Sequence, residues 1–380
     1  MKHQTPRRPA LVVAGARPNF VKVAPILHEL DRRGIPRLFV HTGQHYDVKM
    51  SAALLADLYC PEPDEYLDVG SASHAVQTAR IMERFEPVLL RHRPEWVVVV
   101  GDVNSTLACA LVAAKLRDQL DCRIAHVEAG LRSNDWSMPE EVNRVLTDRL
   151  SDLLLTPLED AADNIVREGL TDALTEFVGN VMIDSLLAVH PKACELGMPA
   201  RLGMRPGEYV LATLHRPSNV DEPERLALLL EALARIAERR PVVFPMHPRT
   251  RARAEAGALD SLLRKLVVTE PFGYAEMLGM LDGAAATLTD SGGVQQEATV
   301  LGVPCVTVRA QTEWPITVTE GTNRLASWPP SVASVEYNAE QAIERGRLPL
   351  GALSPRGWDG RAAIRIVEAL SRAGSNSRVP

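Results

Sequence analysis

Acid, base and cation side chains crowd into one short stretch of this chain of 380 residues, where His126-Val-Glu-Ala-Gly-Leu-Arg-Ser133 is followed closely by Met138-Pro-Glu-Glu-Val-Asn-Arg144. Glu128 ends an apolar run, Arg123 to Val127, that reads as a buried strand, and a buried carboxylate is costly unless paired or hydrogen-bonded. It is either half of a structural salt bridge, with Arg132 as the partner, or a group that moves protons. Glu140 is ambiguous in another way. Ser137-Met-Pro-Glu140 matches a capping box with proline early in the helix. Asn143 and Arg144, three and four residues on, share its helical face and suit an anionic ligand. Glu140 is thus a cap, a catalyst, or a cap that positions Glu141.

Other groups of the same kind end other apolar runs. Gly101-Asp-Val-Asn-Ser-Thr106 follows Trp96 to Val100, so Asp102 sits where α/β enzymes place catalytic groups, or else it or Asn104 caps the next helix. Gly15-Ala-Arg-Pro-Asn-Phe-Val-Lys22 joins a glycine turn to a helix start; its free amides, with Arg17 and Lys22, suit a pyrophosphate. It lacks the second and third glycines of the dinucleotide fingerprint. His215 and Arg216 follow a strand in the second half, and a histidine there can protonate a leaving oxygen or stabilise its charge. His247, in Pro245-Met-His-Pro248, has weaker support. In Thr289-Asp-Ser-Gly-Gly-Val-Gln-Gln-Glu297, Ser291 and the amides of Gly292 and Gly293 form a phosphate cradle, and Glu297 can accept two ribose hydroxyls. A tight turn with an Asp or Ser cap explains Asp290 or Ser291, but not their conjunction with Glu297.

These groups need elements to hold them. Leu11–Ala14, Leu38–Val40, Trp96–Val100, Arg123–Val127 and Leu153–Leu155 are short apolar runs with helical segments between them. Continuous runs of this kind fit a parallel sheet covered on both faces. The predicted first domain is a doubly wound α/β unit over residues 8–185. After the Pro/Gly-rich stretch Gly197–Gly207, with a hinge near Ala200, the alternation resumes with Tyr209–Thr213, Pro241–Phe244, Leu266–Thr269, Ala285–Thr289 and Cys305–Val308. The second α/β domain covers 186–357. The two are expected to face each other across a cleft at their strands' carboxyl ends. A C-terminal helix over 358–380 either packs back on the first domain or stands apart.

Composition narrows the function classes. With 48 acidic and 42 basic side chains the net charge is -6, and no basic run suggests a nucleic-acid groove or membrane patch. No apolar stretch has the length of a membrane span or the form of a secretory leader, so a soluble, cytoplasmic protein is expected. Cys60, Cys109, Cys122, Cys194 and Cys305 are isolated and read as reduced thiols. No Cys/His metal spacing, Gly-x-Ser-x-Gly elbow or Walker loop is evident, which argues against zinc hydrolysis, serine esterase and P-loop chemistry. His41, His45 and Asp47 are a weak grouping, and no metal is expected.

Taken in order, these segments resemble the non-hydrolysing UDP-N-acetylglucosamine 2-epimerases from about Leu11 to Ala373. The marks are Gly15-Ala-Arg-Pro18 with Lys22, Thr42-Gly-Gln-His45, Gly101-Asp102, His126 to Arg132, Pro139 to Arg144, His215-Arg216, Asp290-Ser-Gly-Gly293 with Glu297, and Thr312-Glu313. The resemblance implies two Rossmann-like domains in a GT-B-like fold, a homodimer, and reversible conversion of UDP-GlcNAc to UDP-ManNAc without a cofactor, for surface polysaccharide synthesis. It assigns Asp102, Glu128, Glu140 and His215 to catalysis, and Arg17, Lys22, Arg144, Ser291, Gly292, Gly293 and Glu297 to nucleotide or phosphate contacts. The implied route eliminates UDP across C1 and C2 and adds it back with C2 inverted, with Glu128 and Asp102 as the acid/base pair, Glu140 as an alternative member, and His215 assisting the diphosphate.

Three departures stand out. Pro217-Ser-Asn219 replaces the family's Arg-Glu-Asn or Ala-Glu-Asn, Trp314 replaces an arginine, and Asp47 replaces a glutamine that in many bacterial members holds a second, activating UDP-GlcNAc, which argues against such activation. The rival readings are a 2-epimerase for a UDP-2,3-diacetamido sugar acid, a hydrolysing epimerase, a glycosyltransferase of the same fold, and a non-catalytic sugar-nucleotide binder.

Overall fold

Two seven- and six-stranded parallel sheets organise the protein, each in its own compact unit. The structure, a computed structural model, describes residues 8–43, 48–170 and 172–375. One unit comprises Met1–Ala188 with Arg356–Pro380, the other Val189–Pro355.

In the first unit the strands are β1 (Ala10–Ala14), β2 (Arg37–His41), β3 (Glu65–Tyr66), β4 (Trp96–Val100), β5 (Arg123–Val127), β6 (Leu153–Thr156) and β7 (Leu174–Phe177). Their spatial order is β3-β2-β1-β4-β5-β6-β7. The second unit holds β8 (Val210–Thr213), β9 (Val242–Pro245), β10 (Val267–Thr269), β11 (Ala286–Thr289), β12 (Cys305–Thr307) and β13 (Asn323–Leu325), in the order β10-β9-β8-β11-β12-β13. Every strand pair is parallel. Both are Rossmann-like sheets, in which chain direction across the sheet reverses between β1 and β4 and again between β8 and β11. Strands β1 and β4 are buried at every position, as their unbroken apolar runs require. The expected runs all become strands; β3, β7 and β13 are additional. Each lies at a sheet edge, where one side lacks a neighbour and no continuous apolar run is needed.

The Gly197–Gly207 stretch does not connect the units. Met198 and Pro199 are buried within the second unit, and the Gly207 amide donates to the Gly283 carbonyl at 2.8 Å. The chain passes between units inside the helix Val181–Glu195, between Ala188 and Val189, and returns between Pro355 and Arg356. The proline and glycine content at 197–207 marks turns, so a hinge at Ala200 has no structural basis.

After that return the helix Ala362–Ser375 packs on Arg17–Arg32. Its first amides, Ala362 and Ala363, donate to the buried Asp184 carboxylate at 3.1 and 2.8 Å, satisfying donors that a helix start leaves without partners. The chain segments touch at Gly179 and Gly357, both with positive φ (82° and 77°), and a Cβ on Gly179 would lie 2.0 Å from the Gly357 carbonyl oxygen. Gly179→Ala therefore meets backbone and a left-handed conformation together. It is expected to cost on the order of 3 kcal/mol, read as a lower urea midpoint. An unchanged midpoint would show that this contact yields freely.

Candidate functional site

Each unit gathers its polar side chains where the chain direction reverses, at the carboxyl ends of the strands, the usual ligand position in such sheets. In the first unit β4 and β5 run in register from Trp96↔Arg123 to Val100↔Val127. Gly101-Asp102 and Glu128 therefore leave adjacent strand ends.

Glu128 has φ +73°, a left-handed conformation costing a non-glycine residue about 1 kcal/mol or more. Two interactions hold it there. Its amide and that of Ala129 both donate to the Leu155 carbonyl, at 3.0 and 3.1 Å. Its carboxylate receives Lys22 Nζ at 2.7 Å on Oε1 and 2.6 Å on Oε2, with only 11% and 9% of the lysine and glutamate side chains exposed. The expected Arg132 partner is wrong: Arg132 goes instead to Asp148 and Glu168, each at 2.7 Å.

Lys22 thus bears on Glu128. The amides of Gly15 and Ala16, expected to face a phosphate, are both taken by Asn19 Oδ1 at 3.1 Å, and Asn19 is anchored in turn to the Val100 carbonyl at 2.9 Å. The glycine turn is closed by its own helix. Of the features assigned there to a pyrophosphate, only the Arg17 side chain is left, and it lies outside the described part of the structure, as do Gln44, His45 and Asp47.

Asp102 caps nothing. Val103 occupies the N-cap of the helix Asn104–Lys115, and the Asp102 carboxylate is paired with Arg144. Arg144 also grips Glu141, so one buried guanidinium joins two carboxylates and its charged state is reinforced by both despite burial. Asn143 Nδ2 donates to the Asp102 carbonyl at 2.8 Å, fixing the backbone as Arg144 fixes the side chain.

The capping box at Ser137 does not form. The Ser137 amide and hydroxyl turn to Asp135, at 3.0 and 2.6 Å, and Met138 begins the helix Pro139–Leu150. Glu141 does the structural work: it accepts the Ser133 and Asn134 amides at 3.0 and 2.8 Å. Burial pushes its pKa up, but those amides and Arg144 outweigh it and hold it below the usual range. Glu140, half-buried in the first turn, makes no hydrogen bond or ion pair among the described residues.

Sequence reasoning passed over Asp148. It is wholly buried and binds His126 Nδ1 at 2.6 Å, the Gly130 amide at 3.0 Å and Arg132, while His126 Nε2 meets the Gly101 carbonyl at 2.8 Å. Burial raises the Asp148 pKa, yet His126 and Arg132 more than offset it. This chain of contacts locks the loop after β4 to the loop after β5. The available signal was an aspartate on the inward face of the helix, four residues after Arg144.

In the second unit Asp290, after β11, is buried and receives the amides of His215 and Arg216 at 3.1 and 2.9 Å and Asn219 Nδ2 at 3.1 Å. His215 Nδ1 lies 2.9 Å from it, on a side chain 42% exposed. These donors, His215 first, overcome burial and keep Asp290 ionised below the usual range. With Nδ1 engaged, Nε2 is the ring nitrogen left to act. Asn219 also donates to the Val308 carbonyl at 3.0 Å, so the Pro217-Ser-Asn219 variant keeps the member that anchors Asp290. His247 is the cap of the helix Pro248–Ala256, its Nδ1 accepting the Arg249 amide at 3.2 Å, and its ring centroid lies 6.4 Å from that of His215.

Ser291 caps the helix Gly292–Leu301 through Val294 N at 3.4 Å. The Gly292 and Gly293 amides, in the first turn, have no acceptor within the helix. Trp314, 4% exposed, packs beside that turn, 3.7 Å from where a Gly292 Cβ would be. An indole thus stands against the glycine turn. Glu297 is buried in the same helix, and burial lifts its pKa to about 7. The Tyr274 hydroxyl opposes this without cancelling it.

The model of the UDP-N-acetylglucosamine 2-epimerase family matches residues 28–371. A UDP-2,3-diacetamido-2,3-dideoxy-D-glucuronate 2-epimerase of Pseudomonas aeruginosa is 41% identical, covering 95% of this chain and 99% of its own. The UDP-N-acetylglucosamine 2-epimerase of Methanocaldococcus jannaschii is 40% identical, covering 95% and 98%. A crystal structure of a Methanocaldococcus jannaschii UDP-GlcNAc 2-epimerase in complex with UDP-GlcNAc and UDP superposes with a TM-score of 0.86 at 38% identity, over 96% of this chain and 99% of that one. The paired Rossmann-like units are those of a GT-B-like fold.

Proposed function

Because the chain belongs to the UDP-N-acetylglucosamine 2-epimerase family, we propose that it interconverts UDP-GlcNAc and UDP-ManNAc by eliminating and re-adding UDP. The observation that carries the mechanism is the pair of carboxylates at neighbouring strand ends, Asp102 and Glu128, each held by its own cation. The C2 proton has no carbonyl beside it, and the first βα turn is no nicotinamide fingerprint. Elimination needs only a base at C2 and help for the departing diphosphate. Glu128 and Asp102 exchange the C2 proton, with Glu140 as the alternative member. His215, through Nε2, assists the diphosphate. Ser291 and the amides of Gly292 and Gly293 hold phosphate, and Glu297 accepts the ribose hydroxyls. Arg17 is assigned to phosphate; Lys22 and Arg144 serve by holding Glu128 and Asp102. The working form is a cytoplasmic homodimer, tested by light scattering.

Glu297 gives this reading a pH signature. Ribose hydroxyls donate to the ionised carboxylate, so UDP binding expels the proton that Glu297 carries below about 7. UDP affinity is expected to rise with pH up to about 7, by as much as about 10-fold per unit. Glu297→Gln removes that component and leaves UDP's own titration; identical slopes by calorimetry would contradict the assignment. For stability the sign is the reverse. A folded pKa raised from the ordinary 4.5 to about 7 favours the native state at low pH, and this contribution is lost as pH rises through about 7.

A second reading rests on the Pseudomonas aeruginosa relative, a 2-epimerase of a diacetamido sugar acid. Purified protein incubated separately with UDP-GlcNAc and with the UDP-diacetamido glucuronate, followed by NMR of the sugars, separates the two. Turnover of UDP-GlcNAc is the expected result; turnover of the sugar acid alone would move the assignment to the rival.

A further inference from the structure

Away from the groups described above, the second unit holds a histidine, a cysteine and an aspartate brought together by two helices. His190 and Cys194 lie four residues apart on Val181–Glu195, so they share one helical face. Asp282, near the end of the helix Tyr274–Gly283, approaches the same face. His190 Nε2 stands 3.3 Å from Asp282 Oδ2 and 3.5 Å from Cys194 Sγ, and Cys194 Sγ stands 3.8 Å from Asp282 Oδ2.

Those separations have a meaning beyond proximity. Zinc bonds of about 2.3 Å to sulfur and about 2.0 Å to nitrogen or oxygen, at tetrahedral angles, place ligand atoms roughly 3.3–3.5 Å apart. Two of the observed edges fall within that range, and the third is a few tenths of an ångström longer.

The scaffold around them is firm. A Cβ on Gly279 would lie 2.7 Å from the Ala193 carbonyl oxygen, so the two helix backbones are nearly in contact between the ligands. The Asp282 Oδ1 atom is held by Arg347 Nη2 at 2.9 Å. That leaves Oδ2 aimed at His190 and Cys194, the outer support that orients a metal-binding carboxylate.

We propose that His190, Cys194 and Asp282 bind a zinc ion, with solvent as the fourth ligand. On binding, the Cys194 thiol forms the Zn–S bond and releases its proton to solvent, His190 coordinates through Nε2, and Asp282 through Oδ2. The ion replaces the existing His190–Asp282 contact and ties the two helices together. These residues have no part in the reaction proposed above, and this site stands or falls separately from it.

The test uses the full chain, dialysed against chelator under a phosphine reductant, with Co²⁺ as the probe. One equivalent of Co²⁺ is expected to give a tetrahedral visible spectrum with a thiolate-to-cobalt charge-transfer band, bleached by one equivalent of Zn²⁺. Cys194→Ser abolishes the charge-transfer band, and Asp282→Asn weakens Zn²⁺ binding by about 10-fold or more in a competition titration. Thermal melts of both metal-free variants check that they are folded. A missing charge-transfer band in wild type, or one that survives in Cys194→Ser, overturns the proposal; so does Zn²⁺ affinity unchanged in Asp282→Asn.

Discussion

Glu128→Gln is expected to lower kcat for epimerisation by about 10³-fold while changing the Kd for UDP by less than about 3-fold, because proton transfer by a positioned carboxylate contributes about 10²–10⁴. The substitution keeps the shape of the side chain and its place at the end of β5, where φ +73° and the two amides on Leu155 hold the backbone. What it removes is the charge facing Lys22 and the capacity to accept the C2 proton. Lys22 then sits nearly buried without its counter-ion, so some stability is lost as well. Lys22→Met separates the two effects. If the ion pair only supports the fold, the double variant Lys22→Met/Glu128→Gln regains the activity that either single variant lost. The proton-transfer account predicts recovered melting temperature with no recovered turnover. UDP binding that collapses with kcat would instead place Glu128 in nucleotide recognition.

Arg144→Met is the second large effect. One guanidinium pairs with both Asp102 and Glu141, and removing one member of a buried ion network leaves the others uncompensated, at about 3–5 kcal/mol. The partly exposed Asp102 bears this less than Glu141, whose side chain is 2% exposed. The expected outcome is a marked fall in melting temperature with activity near background, since Asp102 loses the contact that aims it. Glu141→Gln in the same chain restores part of the stability, because a neutral amide tolerates burial without Arg144. It does not restore activity. Arg144→Lys keeps charge but not the two-pronged geometry, and falls between. Activity surviving in Arg144→Met at a temperature where the protein is folded would show that Asp102 needs no such support.

The sheets were legible because their central strands are short unbroken apolar runs closed by turn residues, as Trp96 to Val100 is by Pro94 and Gly101. Among the edges only β10 was, since β3 and β13 are too short and too polar to show a period. Gly197–Gly207 misled because turns within a domain use the same residues as linkers. At the candidate site, residue types and strand-end positions were readable, but the pairing was not. Lys22 meets Glu128 across 106 positions of sequence and Arg144 meets Asp102 across 42. Such partners become visible only once the register of β1, β4 and β5 is known. The capping box failed for a local reason, since Asp135 competes for Ser137 from two residues away. The cluster at His190 combined helical spacing with an aspartate 88 residues beyond Cys194, which no local pattern reveals.

The central claim is that this protein inverts C2 by removing and returning its proton, and incubation with UDP-GlcNAc in deuterated water tests it most directly. NMR of the sugars should show UDP-ManNAc carrying deuterium at C2, with deuterium also entering the remaining UDP-GlcNAc as the reaction reverses. Product whose C2 retains the original proton, or no product and no exchange with protein that binds UDP, would contradict it.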